Sequence, residues 1–332
     1  MKRCCVTNYT IKKTRDTNLA LGALNIIPQY NASDTVSIVK FFVLIERLCD
    51  LYTDYEHSHF SKEFENKCSV DVTKSIAILE PKRISHRSLL DWEAKFYVKS
   101  ELIRRLDWEA KFYVKSELIR RVWCRNTTAY FDWASHIPEI KQLDLKDREL
   151  LLIHRCSVVN WIMHGYKSAS QTINGVVFNG GSYFPADKKE WKNIDKDLLL
   201  YGNLIICMMD EFVEPARKMK LTEAEYTLLR VICLLAPVPG LSAAAQKIIT
   251  MTRSRCVEVL SELVNKTFSH MNDLEKLDRM SKLMSLTVSA EKAGEIEDDF
   301  MNFMQLFNIS QIRGTLPFDI HIRKYNSGLN FH

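Results

Sequence analysis

The chain has 332 residues, 46 of them basic and 41 acidic, for a formal net charge of +5. The two signs are interspersed, which describes a mildly basic surface and not the clustered stripe of a nucleic-acid module. With 46% hydrophobic residues but only 10 glycines and 8 prolines, the chain has material for a sizeable core and few turns. That balance argues against many-stranded sandwiches and glycine-rich nucleotide folds, and for helices.

Residues 1–33 are polar and irregular and read as a flexible arm. Asp34 then caps a helix predicted over Thr35–Tyr55, whose Ile38, Val39, Phe41, Phe42, Ile45, Leu48 and Cys49 leave little polar face, the mark of a buried helix. Residues 56–85 read as loop. Residues 90–105, LDWEAKFYVKSELIRR, recur without one change at 106–121. At ~100° per residue, sixteen residues advance a helix by four turns plus about 160°, so two copies in one continuous helix would face opposite ways. One copy is therefore expected to be extruded, or to reflect the gene assembly.

From Ser116 a helix is predicted to His136, ended or kinked by Pro138. Asp144 caps the next, Leu145–Ser168, with Asp147 in its positive first turn. Val176-Val177-Phe178, Asn179-Gly180-Gly181 and Ser182-Tyr183-Phe184 read as one small hairpin. A single helix is predicted over Asp195–Met219. Thr222 with Glu225 forms a capping box for the next one, which Pro237, Pro239 and Gly240 end. Ser242 opens a long helix to Lys266, Asp273 a longer one to Phe307, and after Gly314 comes a short apolar tail, Leu316–Ile322.

The nine cysteines, Cys4, Cys5, Cys49, Cys68, Cys124, Cys156, Cys207, Cys233 and Cys256, form no CxxC and read as reduced thiols of the cytosol or nucleus. No apolar core follows Met1-Lys-Arg-Cys-Cys, so no signal peptide is expected. The most apolar window, Leu198–Met209, is shorter than the ~20 residues that span a bilayer. No nucleotide-binding, zinc-protease or nucleophile-elbow motif is present, so the chain is read as not an enzyme. His154 and His164 lie about 80° apart around their helix, which makes a zinc pair an unfavoured reading.

One stretch is specific. In Phe131-Asp-Trp133-Ala134-Ser135-His-Ile-Pro138-Glu-Ile140-Lys-Gln-Leu143-Asp-Leu145-Lys-Asp147-Arg148-Glu149-Leu150-Leu151, the residues Trp133, Ala134, Ile140, Leu143, Asp147, Leu150 and Leu151 are spaced as in the ligand-binding signature of nuclear receptors. The chain resembles that family over about Ser33 to Ile322, and Phe42–Asp50 is similar to its expanded nematode branch. The resemblance implies an all-α fold, a three-layer antiparallel helical sandwich with one small β-hairpin, with the domain at 34–322 and a tail at 323–332. It also implies a receptor-like transcription regulator in the nucleus, or in nucleus and cytoplasm, ligand-regulated or ligand-independent, whose apolar pocket would take a fatty-acid-like or steroid-like ligand or none, with no other cofactor. Val122, Asn126, Tyr130, Cys156, Asn160, His164 and Lys167 would line the pocket, with Lys167 placed to meet a carboxylate. Plain core packing explains Val122, Tyr130 and Cys156 as well, and a solvated helix end explains Lys167.

A coregulator helix would lie in a groove rimmed by Phe131, Ser135, Arg148, Glu149 and Asp319. Ser135 stands where the family holds a lysine, and Arg148 where it holds a glutamine. The final activation motif is reduced to Leu316-Pro317-Phe318-Asp319-Ile320-His321, so partner recruitment by the family's usual charge clamp is in question. Met280, Leu283, Met284 and Leu286 lie on a helix resembling the family's dimerisation helix, for a homodimer or a heterodimer with another receptor. No paired cysteines suited to the family's zinc-binding DNA module are present, so no metal site, no direct DNA binding and no membrane association are expected. Two alternatives stand beside this reading: a pocketless module that dimerises with full-length receptors, and a helical lipid-binding protein unrelated to transcription.

Overall fold

The computed structural model describes residues 30–51, 108–309, 312 and 314–324. Most of the expected arm, the loop at 56–85, the first repeat copy and nearly all of the tail lie outside the described residues. Helix α1, Thr35–Leu51, starts where the Asp34 carboxylate accepts from the backbone N–H groups of Val36 and Ser37. Its Ile38, Phe41, Phe42, Ile45 and Cys49 are buried, three and four residues apart.

The second repeat copy does not begin as helix. Phe112–Tyr113 forms a strand, β1, and Ser116–Ser135 forms helix α2. Strand and helix part at Lys115, whose backbone is extended, and the Asp195 carboxylate accepts from the Ser116 N–H at 2.8 Å. Pro138 starts a short helix rather than only ending one: α3 is Pro138–Gln142, with the proline in the first turn, where its missing N–H would be unpaired anyway. Helix α4, Leu145–Ala169, is capped by Asp144 through the Asp147 N–H.

The hairpin is present as β2, Gly175–Val177, and β3, Ser182–Pro185, antiparallel with Val176 opposite Phe184. Gly180 and Gly181 turn it, both at positive φ. The one-hairpin expectation needs a correction. β1 adds to β3 in parallel, giving a three-stranded sheet of order β1-β3-β2.

The single helix expected over Asp195–Met219 is also corrected. It is a 3-10 turn at Lys196–Tyr201, helix α5 at Gly202–Met208, a wide π turn at Met209–Val213 and helix α6 at Glu214–Lys218. Pro215 is the reason: it has no N–H to offer the Glu211 carbonyl, so the ladder widens before it. The Ser289 hydroxyl donates to that carbonyl at 3.0 Å.

Helix α7, Glu223–Leu234, carries the expected capping box, and α8, Ala243–Thr267, the expected Ser242 cap. Helix α9, Asp273–Leu306, has an Asn272–Glu275 capping box of its own. Gly314, at φ 134°, lets the chain reverse into α10, Thr315–Phe318, which continues as a wide turn to Arg323.

Helices α4 and α7 form the middle of the molecule. α2 and α9 pack on α4, and α1, α8 and α9 on α7; α1 also touches α2 and α8, and the turn Asp319–Arg323 after α10 lies against α9 and α4. The fold is the expected all-α sandwich. α4 and α9 approach closely at Gly294, where an added Cβ would fall 2.9 Å from Val158 Cγ2 and 3.2 Å from the Val158 nitrogen. Gly294→Ala is therefore expected to lower stability to urea unfolding by roughly 1–3 kcal/mol through overpacking. That loss outweighs the roughly 1 kcal/mol alanine gains in helix propensity.

Candidate functional site

Two buried polar groups stand out where α2, α4, α9 and the sheet meet. The first is centred on His164 in α4. Its Nε2 lies 3.0 Å from Asn126 Nδ2 in α2, and its Nδ1 lies 3.0 Å from the Val177 carbonyl at the end of β2. With Asn126 donating to Nε2, His164 carries its proton on Nδ1 and donates it to Val177. Burial draws its pKa down to about 4, so the ring is neutral near pH 7. Trp108, Trp161 and Phe178 surround it, with ring centroids 5.5, 5.4 and 5.2 Å away.

Asn160, one turn before His164, donates to Cys156 Sγ at 3.7 Å. Asn126 Oδ1, Asn160 Oδ1 and both amide atoms of Asn179 are buried and have no hydrogen-bond partner among the described residues. Trp108 Nε1 and Ser182 Oγ share that condition.

The family resemblance assigned Val122, Asn126, Tyr130, Cys156, Asn160 and His164 to a pocket lining; in the structure all six are buried. Tyr130 is core: its hydroxyl donates to the Leu152 carbonyl and its ring sits edge-on to Phe131. Lys167 is half-buried and holds its ammonium over the rings of Trp108 and Tyr166, at 5.7 and 6.0 Å. Trp108 and Asn179 were missed. Trp108 belongs to the second repeat copy; the Gln171 side chain bonds both the Trp108 carbonyl and the Ala110 N–H, and the Trp108 ring meets His164 and Lys167 of α4.

The second group docks the end of the chain. Asp298 in α9 accepts from His321 Nδ1 at 2.7 Å and from Ser157 Oγ at 2.8 Å, and pairs with Lys324 Nζ at 2.5 Å. His321 Nε2 accepts in turn from Trp123 Nε1 at 2.8 Å. The His321 and Asp298 side chains are each 2% exposed. Burial alone would raise the Asp298 carboxyl, but the bonds from His321 and Lys324 outweigh it and hold it below its ordinary range. Burial lowers His321. Next door, burial and the Asp298 charge push Glu297 up to about 8, and Glu297 accepts from Trp161 Nε1.

These shifts set an expected pH profile. His164 and His154 are drawn down to about 4, chiefly by burial, and His321 is lowered. Unfolded, all three protonate near pH 6.5, so the unfolded chain binds more protons below that value and stability falls with pH. Glu297 acts oppositely, being protonated when folded up to about pH 8, so between 6.5 and 8 stability rises as pH falls. Urea unfolding across pH 4.5–8.5 should show a maximum near pH 6.5, and His164→Gln should flatten the acid side.

The expected groove residues are differently placed. Phe131 is buried in the core and Asp319 is buried with an ion pair to Arg323 at 3.2 Å. Arg148 donates to the carbonyls of Ile140, Lys141 and Leu143, so it closes the end of α3. Ser135 Oγ donates to the Asp132 carbonyl, and Glu149 is half-buried. Asp147 joins the starts of two helices. Its carboxylate accepts from Ser242 N–H and Oγ at 2.9 and 2.5 Å. A further grouping escaped the sequence: Cys49, Asp132 and His136 each bring a metal-ligating atom within 4.8 Å of the others.

A three-layer helical sandwich with a small sheet at one end, a buried neutral polar cluster beside it and a terminal helix docked over the same region defines a ligand-binding-domain class of fold. A model of the ligand-binding domain of nuclear hormone receptors matches residues 110–307, and the chain belongs to that family. Among Caenorhabditis elegans proteins it is similar to nuclear hormone receptor family member nhr-100, 31% identical over 204 residues, or 60% of this chain and 46% of that one. It is also similar to nuclear hormone receptor family member nhr-4, 24% identical over 190 residues, or 56% of this chain and 37% of that one. The matches thus span less than half the length of these curated relatives. The family is one of receptor-type regulators and is generally nuclear and not enzymatic. No described helix is long and apolar enough to cross a membrane.

Proposed function

We propose that the chain is a nuclear-receptor-type transcription regulator that takes one neutral, largely apolar ligand between α2, α4 and the sheet. The ligand would be hydrogen-bonded by Asn126, Asn160 and Asn179, with His164, bonded to Asn126 and to the Val177 carbonyl, holding the Asn126 amide in place. The observation that carries this reading is the set of buried amide atoms with no partner among the described residues, on Asn126, which bonds the neutral His164, on Asn160 one turn before it, and on Asn179 beyond the end of β2. An unsatisfied buried amide costs roughly 1–3 kcal/mol; a ligand hydroxyl would donate to one of the asparagine Oδ1 atoms, and a ligand carbonyl would accept from Asn179 Nδ2.

The groups that bond His164, the Asn126 amide and the Val177 carbonyl, carry no charge, which favours a steroid-like or other neutral hydroxylated or carbonyl-bearing lipid over a fatty acid. Lys167, held over two rings, is not aimed at an anion in that cluster. Output would pass through the docked terminal helix to a protein partner in the nucleus. With Ser135 at the family's lysine position and Arg148 engaged on α3, the partner helix would be held mainly by apolar contact. Dimerisation with another receptor through α9 is part of the same reading.

Native mass spectrometry of the purified chain, with mild activation, tests it. Release of one equivalent of a neutral lipid, lost in Asn126→Leu/Asn160→Leu, is the expected result. A wild-type chain that carries nothing, and gains no thermal stability from a panel of neutral sterols and lipids, would replace this reading with the pocketless dimerisation module.

A further inference from the structure

Asp132 and His136 project from the same side of the last turn of α2, four residues apart, and Cys49 comes to them from the last turn of α1. Cys49 is remote in sequence from the other two, and the packing of α1 on α2 brings it to them. We propose that Cys49 Sγ, an Asp132 carboxylate oxygen and a His136 ring nitrogen form a zinc site, with water as the fourth ligand.

Three observations carry this. First, the donors are a thiol, an imidazole and a carboxylate, a set that suits Zn²⁺, whereas magnesium and calcium take oxygen ligands. Second, the spacing leaves room for an ion between the donors. His136 Nε2 and Asp132 Oδ1 are 3.8 Å apart, too long for a direct bond. Two donors at zinc bond lengths in a tetrahedron stand about 3.3–3.6 Å apart. The trio, within 4.8 Å throughout, reaches that geometry by side-chain adjustments of about 1 Å.

Third, the surroundings are graded as a coordination site needs. Cys49 is buried, which shields the sulfur, while the side chains of Asp132 and His136 are 24% and 36% exposed, which gives the ion a way in and water a place to bind. The frame is firm, because Trp133, Ala134 and Ile137 between and beside the two α2 ligands are fully buried. Binding releases one proton, from the Cys49 thiol, and requires no change of oxidation state. The ion would pin the end of α1 to the end of α2, beside Ser135, and would stabilise the folded chain by mass action.

Cobalt substitution tests the site with the full chain. After chelator treatment, Co²⁺ added to the wild-type chain should bind at one equivalent, giving tetrahedral ligand-field bands and a thiolate-to-cobalt charge-transfer band. Zn²⁺ should displace it. Cys49→Ser should abolish the charge-transfer band, and Asp132→Asn and His136→Gln should each weaken Zn²⁺ at least about tenfold in competition with a chromogenic chelator. Cys124→Ser, a thiol outside the trio, should change neither readout, and far-ultraviolet circular dichroism checks that each variant remains helical. Cobalt that binds without a thiolate band, a band that survives Cys49→Ser, or no binding at one equivalent overturns the site. The outcome is independent of whether the interior holds a lipid.

Discussion

Replacing Asp298 by leucine is expected to destabilise the chain by about 3–5 kcal/mol and to free its last helix. Asp298 is the acceptor on which His321, Ser157 and Lys324 converge, with its side chain 2% exposed and that of Lys324 6%. Without the carboxylate, a buried ammonium loses its counter-charge and a buried imidazole N–H its acceptor. Removing one partner of a buried ion pair costs about that much because the other is left uncompensated. Urea unfolding measures the loss. Limited proteolysis reads its location, since cleavage should appear first between Gly314 and Lys324.

Asp298→Asn, which keeps acceptor oxygen but not charge, should lose less. If Asp298→Leu unfolds no more easily than wild type and stays resistant at the C-terminal end, α10 is held by its apolar contacts through Leu316 and Ile320 and not by this network. The result bears on regulation. A terminal helix docked by ion pairs is positioned by the chain's own charges, so a ligand could shift it only through differential contacts with the docked and undocked states.

The second large effect is expected at the pair Glu46–Arg230, which ties α1 to α7. The Arg230 guanidinium meets Glu46 at 2.6 Å, lies 4.1 Å over the Trp133 ring and has Met163 sulfur beside it; Tyr226 donates to the same carboxylate at 2.5 Å. Both charged side chains are 3% exposed. Glu46→Leu should therefore cost about 3–5 kcal/mol, since it strands a guanidinium and a tyrosine hydroxyl in the interior. The double variant Glu46→Leu/Arg230→Met should recover much of that loss, because apolar replacements of a whole buried pair are often neutral. A double-mutant cycle by urea unfolding should give a coupling of roughly 2 kcal/mol or more. Simple additivity would mean that the two charges do not act as a pair.

Helix existence was legible wherever capping and period agreed. Asp34, Asp144, Thr222 with Glu225, and Ser242 all start helices as their side chains dictate, because a cap is a bond between residues three apart. The burial of Asn126, Asn160 and His164 was not legible, since on the sequence each could equally face solvent, and the packing of α2 and the sheet on α4 decides it. Local pattern also disclosed the family, through Trp133, Ala134, Ile140, Leu143, Asp147, Leu150 and Leu151.

Three further things were decided only by tertiary structure, since each depends on contacts between distant segments. Period could not show that Phe112–Tyr113 is a strand, because its pairing partner is β3. The π turn before Pro215 required Ser289 from α9 to take up a released carbonyl. The role of Asp298, like the meeting of Cys49 with Asp132 and His136, exists only where helices far apart in the chain converge. A charge in a helical sequence reads as a solvated face until another element arrives to bury it.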